Sequence, residues 1–269
     1  MERRFYALRL LYDGGRFRGF QRQPGLPTVQ ESLEAALAKA GVCARLAVAA
    51  RTDAGVHALG QVVSFAVRAA LDPQALRRQL NAALPEGLFV LDAWEAPGGF
   101  HARGSALGRV YVYLVGEDLP EGVRSYAWSL PDGKAFPDLP APRLDPAAMQ
   151  AALAFSVGQH DFTGFARPGG RRGGVRSVTR AEVISASWGP LHALVLEGTG
   201  FLRAMVRNLV GTAVTVGVGL APPTRLKELL AARGRYRGVR APGWGLTLAE
   251  VLYPLGPGEA IGRPRGTAP

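Results

Sequence analysis

Cysteine, lysine and long apolar runs are all scarce in this chain of 269 residues. Cys43 is the single cysteine, which excludes an internal disulfide and a cysteine-based metal cage. No apolar run approaches the roughly 20 residues that a helix needs to cross a bilayer. The first residues enter a strand pattern at once, without the apolar core and cleavage site of a secretory signal. We therefore expect a cytoplasmic protein without a membrane segment.

The charged residues carry a large positive excess. Lysine and arginine number 32 against 21 acidic residues, so the net charge is +11, and lysine occurs only three times. Arginine binds phosphate through two parallel hydrogen bonds and stacks on bases, so a polyphosphate is the expected partner. An acidic membrane surface is the weaker candidate, because no basic amphipathic helix with bulky apolar anchors is present.

One segment concentrates arginine and glycine. The stretch 164–177 contains Arg167, Arg171, Arg172 and Arg176 among glycines, and it is predicted to be a flexible cationic loop. A contact with nucleic acid and a merely solvated loop explain it equally well.

Several motifs of large enzyme classes are missing. The four histidines (57, 101, 160 and 192) lie far apart and the carboxylates are not clustered, so no metal site is predicted. There is no phosphate-binding glycine loop for ATP or NAD, and no nucleophile elbow around a serine. What remains is a set of carboxylates, arginines and aromatics, which suffices for covalent or acid–base chemistry at a sugar or a base.

Two successive stretches of the chain, 1–98 and 99–254, show similar patterns of strands and helices. The first helix is predicted to start at Thr28 and the second at Asp72-Pro73, and Asp145-Pro146 repeats the second signal. We therefore predict an α+β protein with two similar halves, each a sheet covered by helices. Residues 255–269 are predicted to form a disordered tail.

The octet Arg51–Ala58 (RTDAGVHA) connects two predicted strands, at 44–50 and 60–67. It places the Asp53 carboxylate on a connection that is held at both ends, where catalytic residues are often found. The alternative is an aspartate that only hydrogen-bonds the backbone of its own turn.

The octet and further motifs along the chain resemble the TruA-type tRNA pseudouridine synthases. The resemblance extends from about Tyr6 to Pro254. The other motifs that carry it are Tyr12-Asp13-Gly14, Gly19-Phe20-Gln21-Arg22-Gln23, Thr28-Val29-Gln30-Glu31, Phe100-His101-Ala102-Arg103, Ser105-Ala106, Arg109, Tyr111, Asp161-Phe162-Thr163, the segment 205–211, Ala241-Pro242, Gly245-Leu246 and Leu252-Tyr253-Pro254.

This resemblance implies the pseudouridine synthase fold. In that fold two ferredoxin-like (RRM-like) halves, each with an antiparallel sheet flanked by helices, have the active cleft between them. It also implies a homodimer that acts on uridines at about positions 38 to 40, in the anticodon stem-loop of tRNA. No cofactor is expected, because this isomerisation oxidises nothing and adds nothing.

The resemblance further implies a catalytic set of Asp53, Arg51, Tyr111 and Arg207. Asp53 is the expected nucleophile, and attack at C1′, attack at C6 and removal of a C2′ proton all remain chemically possible. Arg207 lies on a helix predicted from about 202 to 218 and is expected beside Asp53, the alternative being a side chain that extends to solvent. Tyr111 is expected to pack against the target base and could move a proton, the alternative being a core residue. Arg51 either contacts RNA or holds its own loop.

The remaining predicted contacts with the substrate come from the same motifs and from the flank of Arg207. Tyr111 and Arg51 belong to this group as well, and its other members are Gln21, Arg22, His57, Arg103 and Arg203.

Two other classes of protein compete with this interpretation. A non-catalytic RNA-binding protein or tRNA-folding chaperone would share the charge and the aromatics, but it has no need of a lone carboxylate where an anion binds. A methyltransferase would need a cofactor-binding loop on a parallel sheet, and no such pattern is present.

Overall fold

The computed structural model describes residues 3–132, 134–137, 139, 143–167, 173–232, 236 and 238–254. Its contacts divide the chain into two units. The first contains the residues up to Thr52, Ala58–Arg109 and the residues from Leu248, and the second contains Asp53–His57 and Val110–Thr247. The predicted halves 1–98 and 99–254 stay a prediction, and the predicted tail 255–269 lies outside the described residues.

In the described part of the first unit, an antiparallel sheet is accompanied by two α-helices. Strand β1 is the central strand, and it pairs with β3 on one side and β4 on the other. Helix α2 packs on β4, and α1 lies against α2. The elements are β1 (Arg4–Tyr12), α1 (Val29–Lys39), β2 (Ala47–Val48), β3 (His57–Val67, from Ala58 in this unit), α2 (Pro73–Ala83) and β4 (Leu88–Ala96).

Both helix starts predicted in this unit are confirmed. The Thr28 hydroxyl accepts a hydrogen bond from the backbone N–H of Glu31 (3.4 Å). The Asp72 carboxylate accepts one from the backbone N–H of Gln74 (2.9 Å). These bonds satisfy N–H groups that have no partner within the first turn of a helix.

The described residues of the second unit contain four α-helices and most of the remaining strands. Strands β7, β8 and β9 are joined by antiparallel ladders, β9 neighbours β5, and β6 runs parallel to β5. Helix α4 packs on β8 and on α5. The elements are β5 (Gly108–Glu117), α3 (Glu121–Arg124), β6 (Trp128–Leu130), α4 (Pro146–Ala154), β7 (Gly158–Asp161), β8 (Val175–Ser185), β9 (Leu191–Gly198), α5 (Met205–Gly217), α6 (Arg225–Ala232) and β10 (Leu246–Leu252), whose residues from Leu248 belong to the first unit.

The structure corrects three predicted elements. The strand predicted over 44–50 is only the two residues of β2. The helix predicted from 202 begins at Met205. Within the predicted loop 164–177, β8 already begins at Val175, while residues 168–172, which include Arg171 and Arg172, lie outside the described residues.

Helix α5 is closely approached by the segment 239–241. A side chain at Gly211 would overlap the carbonyl of Val239 and would lie 3.1 Å from the backbone nitrogen of Ala241. The absence of a side chain at this position therefore allows the segment to lie directly on the helix.

Within the described residues, no helix is long and apolar enough to cross a membrane.

We predict that Gly211→Ala destabilises the protein. The added methyl group would force the segment 239–241 away from α5, and overpacking of this kind costs about 1–3 kcal/mol. Urea unfolding measures the loss. Gly122→Ala is the matched control, because Gly122 is also helical and has open space around it. Equal stability of the two variants would contradict the close approach.

Candidate active site

Asp53 lies at the start of a tight turn in the second unit. The backbone N–H of Val56 donates to the carbonyl of Asp53 (3.2 Å), and Gly55 has a φ of 79°, which favours glycine. The Asp53 side chain is 25% exposed. The turn therefore holds a carboxylate that a ligand can still reach.

Two guanidinium groups bind this carboxylate, one at each oxygen. Nε of Arg203 lies 3.2 Å from Oδ1, and Nη1 of Arg207 lies 3.5 Å from Oδ2 of Asp53. The Arg203 side chain is 62% exposed and that of Arg207 is 19% exposed. Ion pairs on both sides hold the carboxylate in place and limit its rotation.

Arg207 is itself held by the backbone of residue 241. Its Nε donates to the carbonyl of Ala241 (2.7 Å), and the N–H of Ala241 donates to the carbonyl of Arg207 (3.1 Å). Burial lowers the pKa of the Arg207 guanidinium, and the nearby Asp53 carboxylate opposes this shift. The predicted neighbourhood of Arg207 and Asp53 is present, and the alternative of a side chain extended to solvent does not apply.

The backbone between the two arginines adopts an unusual conformation. Ala204, the residue before α5, has a φ of 65°, which costs a residue with a side chain roughly 1–3 kcal/mol. This left-handed residue explains why α5 begins later than predicted. It also places Arg203 in the turn before the helix instead of on the helix flank that the sequence suggested.

Tyr111 lies on β5 and is 7% exposed. Its ring packs edge-on against Phe201, with 5.3 Å between the ring centroids. Phe201 lies two residues before Arg203, so the predicted tyrosine belongs to the same unit and the same neighbourhood as the arginines. Nothing in the sequence pattern had indicated Phe201.

The segment 241–245 packs closely against the turn that carries Asp53 and against Tyr113. The Tyr113 hydroxyl donates to the carbonyl of Pro242 (3.1 Å), and burial raises the pKa of Tyr113 well above its ordinary value, while the charge of Arg207 opposes the shift. A side chain at Gly243 would collide with the carbonyl of Ala54, and one at Gly245 would collide with the Tyr113 ring. The two glycines of the segment are the feature of the sequence that indicates this close packing.

His57 closes the turn against the same segment. Its Nε2 donates to the carbonyl of Trp244 (3.0 Å), and the residue is only 4% exposed. The predicted contact of His57 with substrate stays a prediction. In the structure the imidazole supports the residues around it.

In the first unit, a buried polar network holds the residues that immediately precede Asp53. The hydroxyls of Tyr12 and Thr52 share a hydrogen bond of 2.7 Å. Nε2 of Gln61 donates to the Tyr12 hydroxyl (3.2 Å) and to the carbonyl of Ala50 (2.6 Å). Burial raises the pKa of Tyr12 to about 12, so its phenol stays neutral and keeps its place in the network. Tyr12 from β1 and Gln61 from β3 thus meet the backbone and the side chain at the start of the octet.

Four predicted RNA contacts, Gln21, Arg22, Arg51 and Arg103, belong to the first unit and are exposed. Arg22 lies 3.6 Å from a carboxylate oxygen of Glu31 and carries a second ion pair, to Glu34. The contacts of these four side chains with RNA stay predictions. Among the residues that the structure describes, no group of three or more histidine, cysteine and acidic side chains could hold a metal ion.

Two stretches of the chain, residues 10–103 and 151–254, match the sequence profile described as tRNA pseudouridine synthase. The protein named tRNA pseudouridine synthase A from Thermosipho melanesiensis is 37% identical over 92% of this chain and 99% of its own length. Proteins of the same name from Frankia casuarinae and Neisseria gonorrhoeae are each 41% identical over 93% of this chain, and the matches cover 89% and 92% of those proteins. A solved structure of a Cbf5-Nop10-Gar1 complex has a chain with 14% identity and a TM-score of 0.33, over 78% of this chain and 45% of that one.

The family match covers the octet and most of the other motifs, and the relatives align along most of their own length. The α+β architecture is the one that such a member requires. The chain therefore belongs to the tRNA pseudouridine synthase family.

Proposed function

We propose that this member of the family isomerises uridine at about positions 38 to 40 of the tRNA anticodon stem-loop, and that Asp53 starts the reaction. Membership of the family makes the chain an isomerase that acts on tRNA. The positions and the roles of individual residues are the proposal. The observation that carries it is the partly exposed Asp53 carboxylate with a guanidinium at each oxygen.

The reaction breaks the bond from C1′ to N1 of uridine and forms a bond from C1′ to C5. C5 loses a proton and N1 gains one, so the product is an isomer and no oxidant or cofactor enters the balance. Positive charge develops at the anomeric carbon as the first bond weakens, and a nearby carboxylate stabilises such charge in glycoside hydrolysis. Attack at C1′, attack at C6 and removal of a C2′ proton all need an unprotonated carboxylate in a defined orientation.

Arg207 supplies that orientation. Because its guanidinium is bound to both Asp53 and the Ala241 carbonyl, the carboxylate is connected to α5 and to the segment around Ala241. Such preorganisation matters because a displacement of about 1 Å can cost on the order of a hundredfold in rate. The more exposed Arg203 is suited to meet the phosphates of the RNA as well.

Tyr111 is proposed to hold the uracil ring and to accept the C5 proton. Its ring lies against Phe201 in the neighbourhood of Arg203, and a ring of this kind can hold a base that has left its stack. In this last step the tyrosine reacts as the phenolate, which takes the proton from C5 as a general base and becomes the neutral phenol.

The alternative of a non-catalytic RNA-binding protein is disfavoured by the charges at the site. Asp53 forms ion pairs with two arginines that a pure RNA-binding protein would use to bind phosphates. The negative charge of Asp53 also repels the RNA. The homodimer, the cytoplasmic location and the RNA contacts of Arg51, Arg103, Gln21 and Arg22 remain predictions.

We expect Asp53→Asn to abolish the release of tritium from tRNA labelled at C5 of uridine, since an amide cannot supply the charge. Affinity for tRNA should change by less than about tenfold, because the shape is preserved. The same change in Asp72→Asn is the matched control, and it should leave activity intact because asparagine caps a helix as well as aspartate does. Tritium release by Asp53→Asn would disprove the role assigned to Asp53.

We expect Tyr111→Phe to lower the rate of tritium release by about 10²- to 10⁴-fold, the usual effect of losing a general base. Binding of tRNA and the melting temperature should stay near the wild-type values, since the ring is retained. Single-turnover measurements with labelled stem-loop RNA compare the variants. A wild-type rate for Tyr111→Phe would restrict Tyr111 to packing.

We expect Arg207→Lys to reduce the rate by about a hundredfold, because one ammonium group cannot hold Asp53 and the Ala241 carbonyl in the guanidinium geometry. Arg203→Lys is the matched comparison and should reduce the rate less, since its ion pair is mostly exposed. Rates under saturating RNA distinguish the two variants. An equal or larger effect of Arg203→Lys would contradict the orienting role of Arg207.

A further inference from the structure

Two exposed aromatic side chains flank the turn that carries Asp53, and the family reaction does not account for them. Tyr126 is 47% exposed and Trp244 is 44% exposed. The Tyr126 ring lies against the buried His57 ring, with 5.0 Å between the centroids and 43° between the planes. His57 in turn donates to the carbonyl of Trp244 (3.0 Å). All three residues belong to the second unit, with Asp53.

The position of Tyr126 is fixed by what surrounds it in the chain. Its backbone N–H donates to the carbonyl of Val123 (2.9 Å), and the next residues, Ala127 and Trp128, are fully buried. The Trp128 indole also donates to the Asp132 carboxylate (2.9 Å). The ring is therefore displayed to solvent by a backbone that is anchored on both sides, so little conformational freedom is lost when a ligand covers it.

The residue that Tyr126 contacts, His57, is close in the chain to the Asp53 carboxylate. His57 is four residues from Asp53, and the turn between them is closed by the bond from Val56 to Asp53. Trp244 approaches this turn as well, because its backbone nitrogen lies 3.5 Å from where a side chain would start at Gly55.

The chemistry of the expected ligand matches an exposed aromatic ring at this point. A uridine that enters the site leaves its stack, so bases next to it in the RNA lose a stacking partner. Every base has an apolar face that packs well on an aromatic side chain, whatever its sequence. The exposed Arg203 on Asp53 supplies positive charge beside the same turn for the phosphates that join these bases.

We propose that Tyr126, supported by His57 and assisted by Trp244, stacks an unpaired base next to the target uridine. The proposal rests on the proposed function, because it takes its ligand to be the RNA whose uridine Asp53 attacks. It deepens that function by naming residues that recognise the context of the target and not the uridine itself.

The test is a direct affinity measurement with an anticodon stem-loop RNA, made in the Asp53→Asn background so that the RNA is not converted. Fluorescence anisotropy of labelled RNA gives Kd. Tyr126→Ala should weaken binding by about five- to hundredfold, the range expected for one lost stacking contact. Tyr126→Phe should stay within about twofold of the parent, since the ring is kept.

Trp188→Ala is the matched control, because Trp188 is a 77% exposed aromatic in the connection between β8 and β9. It should bind RNA like the parent. Tyr126→Leu, which still covers His57 but has no aromatic face, should bind as weakly as Tyr126→Ala. Normal binding by Tyr126→Leu or Tyr126→Ala would overturn the proposal, and so would an equal loss in Trp188→Ala.

RNAs that lack single bases identify the stacked base. Removal of one base beside the target should weaken binding by the parent but cause no further loss in Tyr126→Ala, because the two changes remove the same contact. Additive losses at every unpaired position would overturn the proposal. Tritium release by the wild type tests the proposed function separately, because the affinity measurements do not depend on catalysis. A wild type that binds the RNA but releases no tritium would contradict the proposed function and leave the stacking proposal intact.

Discussion

The site depends on one partly buried guanidinium, that of Arg207, which joins three distant parts of the chain. It binds the carboxylate of Asp53, its Nε donates to the carbonyl of Ala241, and its own backbone belongs to α5. Burying such a charge is unfavourable unless hydrogen-bonding partners and an opposite charge surround it. Arg207 has both, so the arrangement that stabilises the arginine also orients the carboxylate.

The surrounding backbone makes this arrangement possible by close approach. Glycine at 211 lets the segment 239–241 lie on α5, and glycine at 243 lets the following residues reach the carbonyl of Ala54. Ala204 adopts a left-handed conformation between the two arginines that bind Asp53. A strained backbone conformation of this kind persists only where the surrounding structure imposes it. Here the strained residue lies between the exposed Arg203 and the mostly buried Arg207.

Local signals in the sequence predicted the presence of helices and strands well, but they predicted the first and last residues of these elements less well. Thr28 and Asp72 cap their helices as expected, because a capping bond involves only residues two or three positions apart. The predicted start of α5 was wrong, since nothing in the local sequence indicates that Ala204 adopts a left-handed conformation. The chain between β5 and α4 contains α3 and β6, and β6 exists because Trp128 pairs with Val115 on a neighbouring strand. Pairing of that kind depends on residues that are distant in sequence.

The sequence by itself determined the class of protein, the octet that holds Asp53 and the residue types at the site, because these are properties of composition and of short motifs. Only the tertiary structure decided which groups meet. It brought Arg203 and Arg207 to opposite oxygens of Asp53, and it placed Phe201 against Tyr111. It also made the segment 241–245 a support of the site. The physical reason is that ion pairs, ring contacts and backbone approaches depend on distances in space, which the order of residues along the chain does not contain.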